Sequence, residues 1–276
     1  MAFGDLTRVN TNLQALNSYN YLQRTNTELG MRQLRLATGS RINEAEDDSA
    51  GYTISKKLEA RVRGQAQALA NVGDAKSMLT VAEGSLNSIM DILQTMKEKT
   101  IQAANDTLGT EERDDIDSQL VALSDEITDI IGDTEFNNVT LFTGGTFSFH
   151  VNAESTDSFS VTIGTLSVDG LGVATSSIDV SSASAASSLL AAIDSAISTV
   201  ADKLGDIGDN QKRLTFKQDF LSTAMNNNEA ARSRIADADF AREQMQIVKL
   251  QILQQTGVAS LAQANAAPQS VLSLLG

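Results

Sequence analysis

Residues 244–276 read QMQIVKLQILQQTGVASLAQANAAPQSVLSLLG and hold one charge in 33 positions, at Lys249. Met245, Val248, Ile252, Ala259 and Ala262 recur at helical spacing, which predicts an apolar stripe turned toward a partner. A second row, Ile247, Leu250, Leu253 and Leu261, lies off that stripe, so the apolar surface is wider than one helix neighbour needs. Gln251, Gln254, Gln255, Gln263 and Asn265 interrupt it too often for a bilayer span, which takes ~20 mostly apolar residues. The stretch predicts a helix that is fully buried only when other copies surround it.

Working outward, the opposite end of the chain mirrors this one. Leu6, Val9, Leu13 and Leu16 step by three and four, and Leu22, Leu29 and Leu36 recur every seven, both coiled-coil-like spacings. Asn10, Asn12, Asn17, Asn20 and Asn26 dilute that seam. Two weak seams at the two ends predict that the termini pair with each other. Upstream of the quoted stretch, Leu190, Ile197, Leu204, Gln211, Gln218 and Met225 form one heptad row. Ile193, Val200, Ile207, Leu214, Leu221, Asn228 and Ile235 form another, which is expected to run on through residues 230–240 into the terminal helix.

The strongest heptad lies in the first half. One row is Ile54, Arg61, Ala68, Ala75, Ala82, Ile89, Met96; the other is Leu58, Gln65, Val72, Leu79, Leu86, Leu93, Thr100. Unbroken to about Asn105, this helix would be roughly 75 Å long at 1.5 Å per residue. Before it, residues 41–51 read as a polar, strained connector. After it, Thr110 is a candidate N-cap with Glu111 and Glu112 in the first turn. Ile116, Leu120, Leu123, Ile127 and Ile130 then mark a shorter helix ending at Gly132 and Asp133. The period next switches to two: Phe147, Phe149 and Val151 share one face, and Phe159, Val161 and Ile163 share another, across a polar turn. That predicts one β-hairpin. Residues 164–188, rich in Gly, Ser, Thr and Ala, read as loop or weak strand.

Composition narrows the class. The single proline, Pro268, leaves long helices open to residues 1–267, since proline in a helix interior costs ~3 kcal/mol. There is no cysteine and no tryptophan, and aromatics are 4%. Disulfides and cysteine metal sites are excluded, and few aromatics suit narrow helix seams. A net charge of −14 argues against a nucleic-acid partner. No basic n-region with an apolar run opens the chain, so no cleaved secretory signal is expected, and any export would take another route.

No constellation for chemistry stands out. Asp47 and Asp48, Asp114, Asp115 and Asp117, and Asp237 and Asp239 lack the glycine turn and bidentate glutamate of a calcium loop and read as solvated helix starts. His150 is the only histidine, set in a strand without a second ligand. Residues 105–107 and 138–140 match the short N-glycosylation pattern. Ser155, Thr156, Ser158, Ser160, Ser176 and Ser177 are candidates for O-glycosylation if exposed. No phosphate loop, nucleophile elbow or convergent titratable set argues for an enzyme, and no cofactor is expected.

The sequence resembles bacterial flagellin. The resemblance is carried by NTNLQAL (10–16), LATGSRIN (36–43), DDSAG (47–51), AEGSL (82–86) and FNNVTLF (136–142). It continues in SRIADADFA (233–241), ILQQ (252–255), LAQAN (261–265) and PQSVLSLL (268–275). It implies a mainly α protein whose long, coiled-coil-like helices form a terminal antiparallel pair and an inner helical bundle with a small β-hairpin. The expected domains are 1–42 and 233–276, the two parts of a filament core, and 43–232, the bundle, with its hairpin region at about 136–188. With about 45 residues between Phe142 and the last long helix, it resembles a short form without outer domains.

The implied function is a self-assembling, extracellular filament subunit for motility, exported by the flagellar type III route. The implied partners are further copies, an export chaperone on the C-terminal segment, and hook-associated and cap proteins. The family's host-receptor stretch aligns with residues 93–100, but Thr95 stands for arginine, Lys99 for leucine and Gln119 for glutamate, which argues against that recognition. Expected polymer and core contacts are Leu6, Leu13, Leu16, Leu22, Leu29, Leu36, Met245, Val248, Ile252, Leu261, Val271, Leu272 and Leu275. Inner-bundle packing is expected from Leu58, Leu79, Leu86, Leu93, Ile197, Val200, Leu204 and Leu214. A hook–filament junction protein of the same superfamily, or a helical adaptor, would use similar heptads.

Overall fold

The computed structural model describes residues 11–154 and 156–272, with side chains to residue 266. Among the described residues, six helices and two small antiparallel strand pairs follow one another. The chain divides into two compact units: Met1–Ala60 with Asn227–Gly276, and Arg61–Asn226. The expected boundaries at 42/43 and 232/233 both fall inside the first of these, the terminal unit.

In the terminal unit, α1 (Leu13–Thr38) starts at Asn12, whose Oδ1 accepts the Ala15 N–H at 2.9 Å. It stops at Gly39, whose φ of 69° is left-handed, a conformation glycine adopts without a Cβ clash. The connector that follows is hydrogen-bonded rather than strained, and Gly39 is the one positive φ in it. Arg41 N–H donates to the Ala236 carbonyl at 2.6 Å, and Ala238 N–H to the Gly39 carbonyl at 2.9 Å. Asp47 accepts the Asn43 N–H and an Arg35 Nη2–H, both at 3.0 Å. Those bonds, the Asn43 amide first, hold its carboxyl below the ordinary range. Asp48 caps α2 (Ser49–Ala103) through the Gly51 N–H. This stitching keeps the connector, and the helix turns beside it, in the terminal unit.

The same stitch breaks the long C-terminal helix that the heptads led through residues 230–240. α5 (Ala183–Ala236) ends where Asp237 bridges Ser40, and α6 (Phe240–Leu272) begins anew. Asp239 Oδ1 accepts the Arg242 N–H at 3.2 Å as the cap of α6.

The inner unit is built on the long heptad. Gln65, Ala68, Val72, Ala75, Leu79, Ala82, Leu86, Ile89, Leu93, Met96 and Thr100 of α2 are all buried. Ile193, Val200, Ile207, Leu214 and Leu221 of α5 meet them. Three polar rungs set α5 antiparallel to α2: Lys97 to Asp194 at 2.7 Å, Gln211 to Glu83 at 2.8 Å, and Lys76 to Thr215 at 3.2 Å. A window of α5 is long and apolar enough to cross a membrane by composition; within it Leu189, Ile193, Ala196 and Val200 are buried in this core. α3 (Thr110–Asp133) adds Ile116, Leu120 and Ile127. Its N-cap is Gly109, and Thr110, expected to cap it, is its first helical residue.

Of the residues expected in the bundle, Leu79, Leu86, Leu93, Val200 and Leu214 are buried, and Ile197 and Leu204 are half-buried against the same core. Leu58 is the exception: it precedes the division and is half-buried in the terminal unit.

The expected hairpin is β3 (Thr146–His150) with β4 (Ser158–Thr162), Phe147 opposite Val161 and Phe149 opposite Phe159. The Arg213 guanidinium stacks 4.6 Å from the Phe159 ring. A second, unexpected hairpin joins β1 (Glu135–Phe136) to β2 (Val139–Thr140). Asn137 and Asn138 both take positive φ, 52° and 62°, as a two-residue type I′ turn demands. Residues 164–182 are more ordered than expected. They form α4 (Val168–Leu171) and a 3-10 turn at Thr175–Ser177, and they bury Leu166, Leu171, Val173 and Val180. α5 starts seven residues before Leu190, because Ser182 Oγ accepts the Ala185 N–H and caps an alanine-rich first turn.

Candidate assembly surface

The site is the pair α1 and α6. Ala15, Ser18, Leu22, Thr25, Leu29, Arg32 and Leu36 of α1 are buried or half-buried at alternating three and four spacing. Glu243, Ile247, Leu250, Gln254, Gly257, Leu261 and Ala264 of α6 answer them with the same period. The helices run antiparallel: Asn12 Nδ2 donates to the Ala264 carbonyl at 2.7 Å, Gln254 Nε2 to Asn26 Oδ1 at 2.8 Å, and Arg32 Nη1 to Glu243 Oε1 at 2.9 Å. Gly257 sits where an added Cβ would lie 3.4 Å from Leu22 Cδ1, so the helices approach closely there. The apolar part of this seam is narrow: Leu29, Ile247, Leu250 and Ala264 are buried, and Leu22, Leu36 and Leu261 are half-buried.

Of the off-stripe row, Ile247, Leu250 and Leu261 face α1, whereas Leu253 is exposed. The stripe that first marks the helix, continued as Met245, Val248, Ile252, Gln255, Ala259, Ala262 and Ala266, is exposed along its whole length. It is a second heptad, about 150° round the helix from the first at 100° per residue. Met245 is 66% exposed and Ile252 57%. α1 carries a matching outer row, Leu13, Leu16, Asn20, Gln23, Thr27, Met31 and Leu34, all exposed. Neither row holds a charge. A shallow groove of about 400 Å³ runs beside the seam, lined by Ser18, Tyr21, Leu22, Leu253, Gly257 and neighbours.

The expected contact residues thus split in two. Leu22, Leu29, Leu36 and Leu261 close the pair within one chain, whereas Leu13, Leu16, Met245, Val248 and Ile252 face outward. Val271 and Leu272 stand on the last turn of α6, and Leu6 and Leu275 lie outside the described residues. Tyr19, Tyr21, Met31, Leu34 and Val258 are exposed apolar residues that the spacing argument missed. The heptad of Leu22, Leu29 and Leu36 drew attention to the seam and away from the second period on the same helix.

The remaining candidates are dispersed. His150 is exposed on β3, and its carbonyl accepts from Asn71 Nδ2 at 3.0 Å. Ser158 and Ser160 are exposed on the outer face of the hairpin, Thr156 on its turn, and Ser176 and Ser177 on the 3-10 turn; Ser155 lies outside the described residues. Asp117 is partly buried, which pushes its carboxyl up despite the Val180 N–H it accepts, with Asp179 and Asp114 nearby adding to the rise. Among the described residues no group of three His, Cys, Asp or Glu is placed to hold a metal ion.

What the fold and this surface define is a helical structural subunit whose helices α1 and α6 each present an uncharged row outward. Comparison with known proteins gives the family. Residues 9–146 match the bacterial flagellin N-terminal helical region, and residues 190–275 the bacterial flagellin C-terminal helical region. The chain is 33% identical to Flagellin FlaB1 of Treponema pallidum, over 97% of this chain and 99% of that protein. It is also 33% identical to the flagellin of Bacillus subtilis, at the same coverage of both. A solved structure from Vibrio parahaemolyticus, provisionally described as a flagellar hook-associated protein, shares the fold: TM-score 0.59, 15% identity, covering 69% of this chain and 100% of that one. The chain belongs to the bacterial flagellins, the structural subunits of the flagellar filament.

Proposed function

We propose that this flagellin polymerises through the outer rows of α1 and α6, which make the terminal unit the core of the filament. The observation that carries the reading is the second heptad on α6, exposed and uncharged from Met245 to Ala266. A monomer in water gains nothing from such a row. A neighbouring helix would bury it, at about 1.5–3 kcal/mol for each large side chain. In the same reading the subunit is exported unfolded, without a cleaved signal peptide, by the flagellar type III route. An export chaperone covers the C-terminal segment until assembly, and the filament, ending at hook-associated and cap proteins, is extracellular. The exposed hydroxyls of Thr156, Ser158, Ser160, Ser176 and Ser177 are offered for O-glycosylation in that setting.

The test is seeded growth. Monomer mixed with short filament fragments is viewed by negative-stain electron microscopy, with Ile252→Asp and Leu13→Asp beside the unaltered chain. The unaltered chain is expected to give long filaments of uniform width. Both variants are expected to stay monomeric with unchanged helical circular dichroism, because assembly would bury an unpaired carboxylate. Filaments of normal yield from both variants would sink the interface. Failure of the unaltered chain to grow, with no rescue of swimming in a filament-less strain, would favour a junction role.

A further inference from the structure

At the polar end of the α1/α6 pair, the terminal unit gathers five of its eleven cations round one cavity of about 520 Å³. Arg32 and Arg35 reach it from the last turns of α1, Arg41 from the connector, Arg234 from the last turn of α5 and Arg242 from the first turn of α6. Three carboxylates share the wall: Asp237, Asp239 and Glu243. Two of the arginines are matched. Arg32 holds Glu243 through both carboxylate oxygens, at 2.9 and 3.0 Å, and Arg35 Nη2 donates to Asp47 at 3.0 Å. The Arg35 Nε–H is buried with no acceptor. Arg41, Arg234 and Arg242 remain, against Asp237 and Asp239. Arg41 Nη2 donates to the Ile235 carbonyl at 2.6 Å, and Asp239 Oδ1 is taken by the Arg242 backbone N–H at the α6 cap. The guanidinium groups of Arg234 and Arg242 have no hydrogen bond or ion pair among the described residues.

We propose that this cavity is a binding site for a free tetrahedral oxyanion of the phosphate or sulfate class. Each guanidinium presents five N–H donors in a planar fork that matches the edge of an oxyanion. Three forks brought from three segments suit four oxygens pointing in different directions better than the two of a carboxylate. Three guanidinium groups against two carboxylates leave one positive charge over, and a concave wall focuses its field. The start of α6 adds the partial positive charge of a helix N-terminus, which the ends of α1 and α5 offset. An anion held here joins the segments that backbone bonds already stitch, Arg41 to Ala236 and Ala238 to Gly39. Its effect is local: it clamps the break between α5 and α6, independently of any contact between copies.

The test uses the whole chain as monomer near neutral pH, with ionic strength held constant by chloride. Inorganic phosphate, titrated by calorimetry, is expected to bind saturably, one per chain, with a Kd of about 1 mM or below. Arg234→Gln/Arg242→Gln is expected to weaken binding at least about tenfold, with helical circular dichroism unchanged. Arg24→Gln/Lys249→Gln removes the same charge from exposed positions elsewhere on α1 and α6, and is expected to bind as the unaltered chain does. Amide exchange gives a second readout on the unaltered chain. Residues 36–45 and 233–246 should exchange about elevenfold more slowly at phosphate ten times its Kd, since protection grows as one plus the ratio of ligand to Kd. Exchange of residues 72–100 should stay the same. A phosphate monoester, phosphoserine, is expected to bind no more tightly than inorganic phosphate; tighter binding would overturn the free ion in favour of a carried phosphate group. No saturable binding, or equal loss in both double variants, would overturn the site and leave the subunit reading intact.

Discussion

The two units bury their apolar residues in opposite ways. The inner unit closes on itself: α2, α3, α5 and the 163–180 segment share one continuous core, from Ala68 to Leu221. Among the described residues the terminal unit buries only Leu29, Ile42, Ala236, Ile247, Leu250 and Ala264 of its apolar side chains, and leaves a full heptad of α6 outside. Charge divides along the same line. Eleven of the 21 Lys and Arg and eleven of the 35 Asp and Glu belong to the terminal unit, so the entire −14 sits on the inner one. A neutral unit with an unfilled apolar face can pack closely among copies. A unit with a full core needs no neighbour to bury its apolar side chains, and its large negative charge opposes unspecific association. In the proposed reading, stability is carried by α2, α3 and α5 and assembly by the separate helices α1 and α6.

Substitutions sharpen this contrast, and the largest effect is expected in the inner core. Leu86 is fully buried. Leu86→Ala should lower the stability of the monomer by about 2–5 kcal/mol, read as a drop in thermal midpoint. Ile252→Ala on the outer row of α6 should leave that midpoint unchanged while reducing filament growth. Equal midpoint losses from both would break the comparison.

A middle-sized effect is expected at the polar end of the α1/α6 seam. Glu243 is nearly buried and faces Arg32 with both carboxylate oxygens, at 2.9 and 3.0 Å. Glu243→Gln keeps the shape and removes the charge, leaving Arg32 one neutral acceptor in place of its carboxylate partner. The cost should be about 1–3 kcal/mol, confined to the terminal unit. The amide exchange of α1 and α6 should rise while that of α2 between residues 72 and 100 stays the same.

The smallest effect concerns pH. Burial raises the folded-state pKa of Asp117, so the native state holds this proton more tightly than the unfolded chain does. Its contribution to stability is present at acid pH and is lost as pH rises through the folded pKa, above the ordinary carboxylate range. Asp117→Asn should then be the more stable protein at neutral pH, by under about 0.5 kcal/mol. The advantage should vanish in acid, as followed by thermal melts across pH. Asp47 has the opposite sign. Its lowered pKa gives the terminal connector a contribution that is present above the ordinary carboxylate range and lost as pH falls through the folded value.

Much of this was legible in the residues. The heptad from Gln65 to Thr100 is the buried face of α2, since a seam repeated over five heptads has one geometric solution. The alternation of Phe147, Phe149, Phe159 and Val161 is the hairpin. What spacing could not supply was long-range hydrogen bonding. The break at Asp237 is set by the Gly39–Arg41 backbone, nearly 200 residues away, which no local pattern at residues 230–240 reports. The Asn137–Asn138 turn joins strands two residues long, too short for an alternating pattern to show. On α6 both rows were visible as periods, yet periodicity gives two apolar faces without saying which one α1 takes. The polar plugs decide that: Glu243 for Arg32, Gln254 for Asn26, and Ala264 for Asn12 all lie on the Ile247–Leu250 face.

In the proposed filament, neighbouring copies complete the terminal helices, and the inner core is complete without them. Amide hydrogen exchange, read by mass spectrometry on monomer and on seeded filaments, compares the two directly. Residues 72–100 should be strongly protected in both states. Residues 240–266 should exchange quickly in the monomer and gain at least about a hundredfold protection in the filament, since a short seam with few buried apolar contacts opens locally at little cost. Strong protection of residues 240–266 in the monomer, or no gain on assembly, would contradict the account.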